Sequence, residues 1–181
     1  HDTQWHDWTQ IGNATFRIPA NATIAAASLR SDVHLFVTGN DGKIYRTQVS
    51  SDLAEDWAPI DVAGTVTFLP GASISVTGTR TGDTFVELIA VDKEGGIYRT
   101  SWNEMFGDWI AWSLEGTLTI PQDATITLIG EVGSLRLFTM GDDGRVYART
   151  AVDWEPVGNT TGTTGLPITA RLDSAGGIRL Y

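Results

Sequence analysis

The sequence predicts an all-β protein assembled from a four-stranded unit repeated about every 50 residues. Landmarks recur at near-constant spacing. Asp-Trp stands at Asp7-Trp8, Asp56-Trp57, Asp108-Trp109 and Asp153-Trp154, at intervals of 49, 52 and 45 residues, and Pro19, Pro70, Pro121 and Pro167 follow at 51, 51 and 46. Between landmarks lie short alternating apolar runs separated by Gly, Asp-Gly or Pro turns, the pattern of half-buried strands. No segment carries a 3.6-residue apolar stripe closed by a glycine cap, so helices should be almost absent.

The elements of one unit follow in order. After each of the first three prolines comes a first run, Ile24-Ala25-Ala26-Ala27, Ile74-Ser75-Val76 and Ile126-Thr127-Leu128-Ile129. A second follows, Leu35-Phe36-Val37, Leu88-Ile89-Ala90-Val91 and Leu137-Phe138-Thr139-Met140. Next is a Gly-containing turn leading into a third run, Asp41-Gly42-Lys43-Ile44-Tyr45, Glu94-Gly95-Gly96-Ile97-Tyr98 and Asp143-Gly144-Arg145-Val146-Tyr147. Asp-Gly accepts the positive φ angles of a tight hairpin, which joins second and third strands. The Asp-Trp pairs open the fourth strand.

Four short strands per repeat describe a β-propeller blade, with the first strand innermost and the Trp strand outermost. The units span about 12–57, 58–109, 110–154 and a partial 155–181. The last lacks its third and fourth strands, and residues 1–11, with Trp8-Thr9-Gln10-Ile11, read as an outer strand available to complete it. Either a small four-bladed ring closes within one chain, or the chain is part of a larger ring, completed by homo-oligomerisation or by a longer polypeptide.

Composition bounds the function. With 181 residues, 41% hydrophobic, the chain can bury a core without disulfides or structural metals. There is no Cys, which removes thiol chemistry and cysteine-based zinc sites. The net charge of −10 argues against nucleic acid or an anionic membrane surface as partner. No apolar run approaches the roughly 20 residues of a membrane-spanning helix, and no leader pattern opens the chain. Asn13-Ala14-Thr15, Asn21-Ala22-Thr23 and Asn159-Thr160-Thr161 match the N-glycosylation pattern.

The unit from Phe16-Arg17-Ile18-Pro19 through Ile24-Ala25-Ala26-Ala27-Ser28 and Val33-His34-Leu35-Phe36-Val37 to Ile44-Tyr45, closed by Asp56-Trp57, resembles the repeat of secreted β-propeller lectins. It is most similar to the seven-bladed fucose-binding lectins of bacteria, and more loosely to tachylectin-like and fungal fucose-binding propellers. The resemblance implies an extracellular protein that binds glycans or glycoproteins in shallow pockets between blades, lined by aromatic and polar side chains, with no catalysis and no cofactor. The third unit departs from the pattern, with Tyr147-Ala148-Arg149-Thr150 against Tyr45-Arg46-Thr47 and Tyr98-Arg99-Thr100.

Candidate site residues carry paired readings. Trp57 and Trp109, as repeated outer-strand residues, either stack on a pyranose face or plug the space between blades. Trp102 and Trp112 bracket Trp109 and, with Trp5, stand outside the repeat, which makes them ligand or partner aromatics. Arg46, Arg99 and Arg149 follow the third-strand tyrosines and either pair with the acidic surface or hydrogen-bond sugar hydroxyls. Asn40-Asp41-Gly42 and Asp142-Asp143-Gly144 lack the alternating acids of a calcium loop and read as turns. His1 with His6 or His34 is a weak copper-site pattern, so no metal is expected. No Gly-x-Ser-x-Gly elbow accompanies the three histidines. Besides the lectin, a protein-interaction propeller and a glycoside hydrolase remain as other classes.

Overall fold

The computed structural model describes residues 10–13, 15–50, 53–78, 85–103, 105–130, 135–164, 166–173 and 177–181. Trp8-Thr9 of the opening strand, along with Trp5, His1 and His6, lies outside them. No helix occurs among the described residues.

Four antiparallel sheets follow one another along the chain. The first contains β1 (Ala25–Leu29), β2 (Asp32–Thr38), β3 (Ile44–Val49) and β4 (Ala58–Pro59). The second contains β5 (Ile74–Gly78), β6 (Phe85–Val91), β7 (Gly96–Asn103), β8 (Asp108–Trp109) and β9 (Ser113–Thr119), the last two both paired with β7. The third contains β10 (Thr127–Ile129), β11 (Arg136–Met140), β12 (Arg145–Arg149) and β13 (Trp154–Thr161). The fourth is a two-stranded start, β14 (Ala170–Leu172) and β15 (Ile178–Leu180). Each sheet is a meander, strand pairing with the next in order except that β9 returns to pair with β7, as the repeated hairpin signals require.

The hairpin between second and third strands is the same in all three complete sheets. Gly42, Gly95 and Gly144 take φ of 73°, 85° and 73°, a region that favours glycine. Asp41 and Asp143 fix their turns by accepting the backbone N–H of Lys43 (3.1 Å) and Arg145 (3.0 Å), and each also accepts the hydroxyl of the following tyrosine, Tyr45 or Tyr147.

The inner strands line up side by side, β1 next to β5, β5 next to β10, and β10 next to β14. Hydroxyls bind them across the seams. Ser75 Oγ donates to the Ile126 carbonyl, and Thr127 Oγ1 at the equivalent position donates to that of Ile168. The core sits between sheets rather than inside one. Alternation along β6 sends Val86, Leu88 and Ala90 into the first seam, with Phe36, Ile44 and Ile74. It sends Ile89 and Val91 into the second, with Ile97, Ile126, Leu137 and Trp154. Each such side chain, fully buried, contributes about 1.5–3 kcal/mol, so a blade is stable only beside another.

Candidate functional site

Register defines which residues are equivalent. Arg46 pairs with Ala58, and Arg99 with Ser113, while Tyr45, Tyr98 and Tyr147 pair with Pro59, Leu114 and Pro156. Counting back from those partners, the residue matching Trp57 and Trp154 is Trp112, and Trp109 is a correction to the repeat. Its cause is the longer β7–β8 hairpin. Asp108 and Trp109 form an additional two-residue strand opposite Asn103 and Trp102 before the chain regains register at Ser113. The hydroxyl of Thr47 donates to Glu55 O and that of Thr100 to Ile110 O, which aligns 55–57 with 110–112 independently.

A second signal agrees. Gly12, Gly64 and Gly116, 52 residues apart, all have positive φ (75°, 129° and 85°) and lie against the indoles of Trp57, Trp112 and Trp154. A Cβ at Gly12 would sit 2.7 Å from Trp57 Cδ1, and one at Gly116 2.9 Å from Trp154 Cδ1. Each glycine thus admits the tryptophan at the start of the outer strand that follows it. The pattern was open to view in the sequence as Gly12-Asn13-Ala14-Thr15, Gly64-Thr65-Val66-Thr67, Gly116-Thr117-Leu118-Thr119 and Gly158-Asn159-Thr160-Thr161. Trp57 is 8% exposed and stacks on Phe16 at 5.4 Å. Trp112 meets Phe68 edge-on at 5.1 Å. Both are seam residues, which corrects the placing of Trp112 outside the repeat.

Asp153 locks the second seam. Its carboxylate accepts Thr117 Oγ1 (2.6 Å) and Thr117 N–H (2.9 Å) from β9, and its own neighbour's Trp154 N–H (2.8 Å). The Thr117 hydroxyl, followed by these N–H groups, holds the Asp153 pKa at about 2, below the ordinary 3.8. A depressed carboxylate stabilises the fold above its unfolded pKa, and that contribution is lost as pH falls toward 2. Asp153→Asn is therefore expected to flatten acid unfolding below pH 3.8, read by circular dichroism against wild type. An unchanged acid profile would contradict the assignment.

The arginines divide. Arg46 and Arg99 occupy the same register, each facing the following sheet. Arg149 does not. Ala148 holds the equivalent position, and the one-residue shift turns Arg149 to the opposite face, back into the second seam. There Glu115 accepts Arg149 Nε at 3.1 Å and lies 3.9 Å from Arg99, while Arg99 also pairs with buried Glu87. This pocket, about 430 Å³, is lined by Arg99, Glu115, Leu135, Leu137 and Arg149.

The first seam is different. Its pocket, about 320 Å³, brings together Arg46, Trp102, Trp109 and the carboxylate residues Glu55, Asp56, Asp61 and Asp108. The Arg46 guanidinium lies 5.3 Å from the centre of the Trp102 ring and donates to Gln48 Oε1 at 3.0 Å. Burial lowers the Arg46 pKa, opposed by nearby Glu55. Trp109 touches Phe36 edge-on at 6.1 Å. Trp102, Trp109 and Trp112 all pack against the first-seam core, so the three form one cluster, with Trp102 and Trp109 opening onto the pocket. Among the described residues no three His, Asp or Glu side chains are grouped to hold a metal ion.

The arrangement is that of a partial β-propeller with polar pockets between blades, the first-seam pocket walled by tryptophans. The sequence matches no protein-family model and no curated protein. Solved structures match the fold. AofleA from Arthrobotrys oligospora superposes with a TM-score of 0.62 at 13% identity, over 91% of this chain and 50% of that one. BP39L lectin from Burkholderia pseudomallei gives 0.58 at 20% identity, over 77% and 41%. The Aleuria aurantia lectin, described as a six-bladed β-propeller with a novel fucose recognition mode, gives 0.62 at 14% identity, over 92% and 58%. The chain thus spans about half the length of these structures, and 58% of a six-bladed ring is three blades and part of a fourth, as the four sheets are.

Proposed function

We propose that this protein is a secreted, lectin-like binder that takes glycans, fucosylated ones among them, into the pockets between its blades, without catalysis. One observation carries the reading: the first-seam pocket combines two half-buried indoles, a half-buried guanidinium and several carboxylates. A pyranose needs that combination, an aromatic wall for its C–H face and fixed donors and acceptors for its hydroxyls. Fold likeness to the Burkholderia and Aleuria lectins supports the same class. A glycan array with and without competing α-methyl fucoside tests it. Fucosylated glycans should bind and be competed, and Trp109→Ala should weaken binding by about 1–3 kcal/mol with the fold intact. A blank array would overturn the reading. It would favour a protein-interaction propeller, for which Met105, Phe106 and Ile110, 71%, 72% and 60% exposed at the β7–β8 hairpin, are the available surface.

A further inference from the structure

We propose that the first seam holds a second saccharide subsite at Trp112, so that its ligand is an oligosaccharide lying across two neighbouring pockets. This rests on the glycan reading of the Trp102–Trp109 pocket and extends it. Trp57, Trp112 and Trp154 hold one position in the repeat, yet Trp57 and Trp154 are 8% and 7% exposed while Trp112 is only half-buried. A Cβ at Gly64 would stand 3.9 Å from Trp112 Cδ1, against 2.7 and 2.9 Å for Gly12 and Gly116 with their tryptophans. The chain facing Trp112 stands off from its indole.

A single change in the repeat accounts for the gap. Asp153 locks the second seam by accepting the N–H and the hydroxyl of Thr117, and the residue in its place before Trp112 is Ala111. Thr65, the counterpart of Thr117, therefore has no carboxylate there to draw it in. The indole loses its partner as well. Trp154 Nε1–H donates to the Glu115 carbonyl, whereas the matching Ala63 carbonyl accepts the backbone N–H of Trp112 at 3.3 Å. The Trp112 indole N–H makes no hydrogen bond among the described residues.

The space so opened is a cavity of about 470 Å³ lined by Trp112, Phe68, Lys43 and Asp61. Among the described residues neither the Lys43 ammonium nor the Asp61 carboxylate enters an ion pair. The cavity thus offers an aromatic wall, two kinds of free donor and an acceptor, which is what a pyranose requires. Pro59, Ile60 and Asp61 border this cavity and the Trp102–Trp109 pocket alike. Their segment is pinned at both ends, by Ile60 N–H on the Ile44 carbonyl of β3 (2.9 Å) and by the Ala63 carbonyl on Trp112 beside β9. A fixed strap therefore sets the two pockets side by side, and linked sugars seated in both gain affinity because the second contact is intramolecular. The two departures of the second unit from the repeat, the β7–β8 insertion and Ala111, open neighbouring pockets in one seam.

Titration of the ¹⁵N-labelled chain with α-methyl fucoside, then with the disaccharide Fucα1-6GlcNAc and with 2′-fucosyllactose, tests this at the indole N–H signals. The monosaccharide should move Trp102 and Trp109 alone. At least one longer sugar should also move Trp112 and bind about tenfold more tightly. If Trp102 and Trp109 move but neither longer sugar moves Trp112, the second subsite is overturned and the glycan reading stands. If no indole moves with any of the three, both fail. Ala111→Asp restores the missing carboxylate at an exposed position, so its circular dichroism should match wild type. It is expected to abolish the Trp112 shift and the tenfold gain, with fucoside affinity unchanged. Lys43→Ala, also at an exposed position, should weaken the longer sugars by about threefold and leave the fucoside unchanged. If both variants bind the longer sugars as wild type does, the extra contact lies elsewhere and the proposal fails.

Discussion

Trp154→Ala is expected to cost about 3–5 kcal/mol of stability, the range for deleting a large buried aromatic side chain. The side chain is 7% exposed and belongs to the second-seam core with Ile89, Ile97 and Leu137. Its Nε1–H donates to the Glu115 carbonyl at 2.5 Å, so truncation also strands an acceptor between sheets. Gly116 leaves room for the indole where a Cβ would press on it, and the neighbouring backbone, fixed by the Asp153–Thr117 bonds, has little freedom to collapse into the space. Urea unfolding measures the loss directly. Trp154→Phe should recover part of the packing but not the hydrogen bond. A cost below about 1 kcal/mol for the alanine variant would mean that the tryptophan does not hold the seam.

Arg99→Ala should be nearly as damaging, for an electrostatic reason. Glu87 is 4% exposed, and its carboxylate is balanced by Arg99 from the neighbouring strand, while its Oε2 accepts no hydrogen bond among the described residues. Deleting the guanidinium leaves a carboxylate in the seam without its ion pair. Removing one partner of a buried pair costs about 3–5 kcal/mol, and the lower end applies because Arg99 is itself 35% exposed. The double variant Arg99→Met with Glu87→Leu removes both charges and should regain most of the loss. If the double variant is no better than Arg99→Ala alone, lost packing rather than the uncovered charge accounts for the effect.

The blade pattern was legible in the sequence because two signals, period-2 alternation and Asp-Gly turns, recur in every unit and are local. Strand order followed from them, and so did the inner position of the Ile74 and Ile126 runs. The register of the second outer strand was harder to read. Asp108-Trp109 copies the repeated dipeptide, and only pairing across the sheet, Arg99 with Ser113, identifies Trp112 as the seam residue. The glycines that receive the tryptophans were the missing signal. They act between blades, so their spacing has meaning only once the partner strand is known. Likewise, a one-residue shift at Ala148-Arg149 reverses the side on which the arginine acts, because strand side chains alternate. The site could be anticipated as aromatic and basic, but which arginine meets which tryptophan depends on the contact of two separate sheets.

The glycan reading is tested most directly by the indole N–H signals of the seven tryptophans in a ¹H–¹⁵N correlation spectrum, titrated with the fucoside that competes on the array. Trp102 and Trp109 should shift together and saturate, since they wall the first-seam pocket, while Trp57 and Trp154 stay in place, held inside seams that the sugar does not enter. Saturating shifts confined to Trp57 and Trp154, or no shift of any indole at saturating sugar, would contradict binding in that pocket.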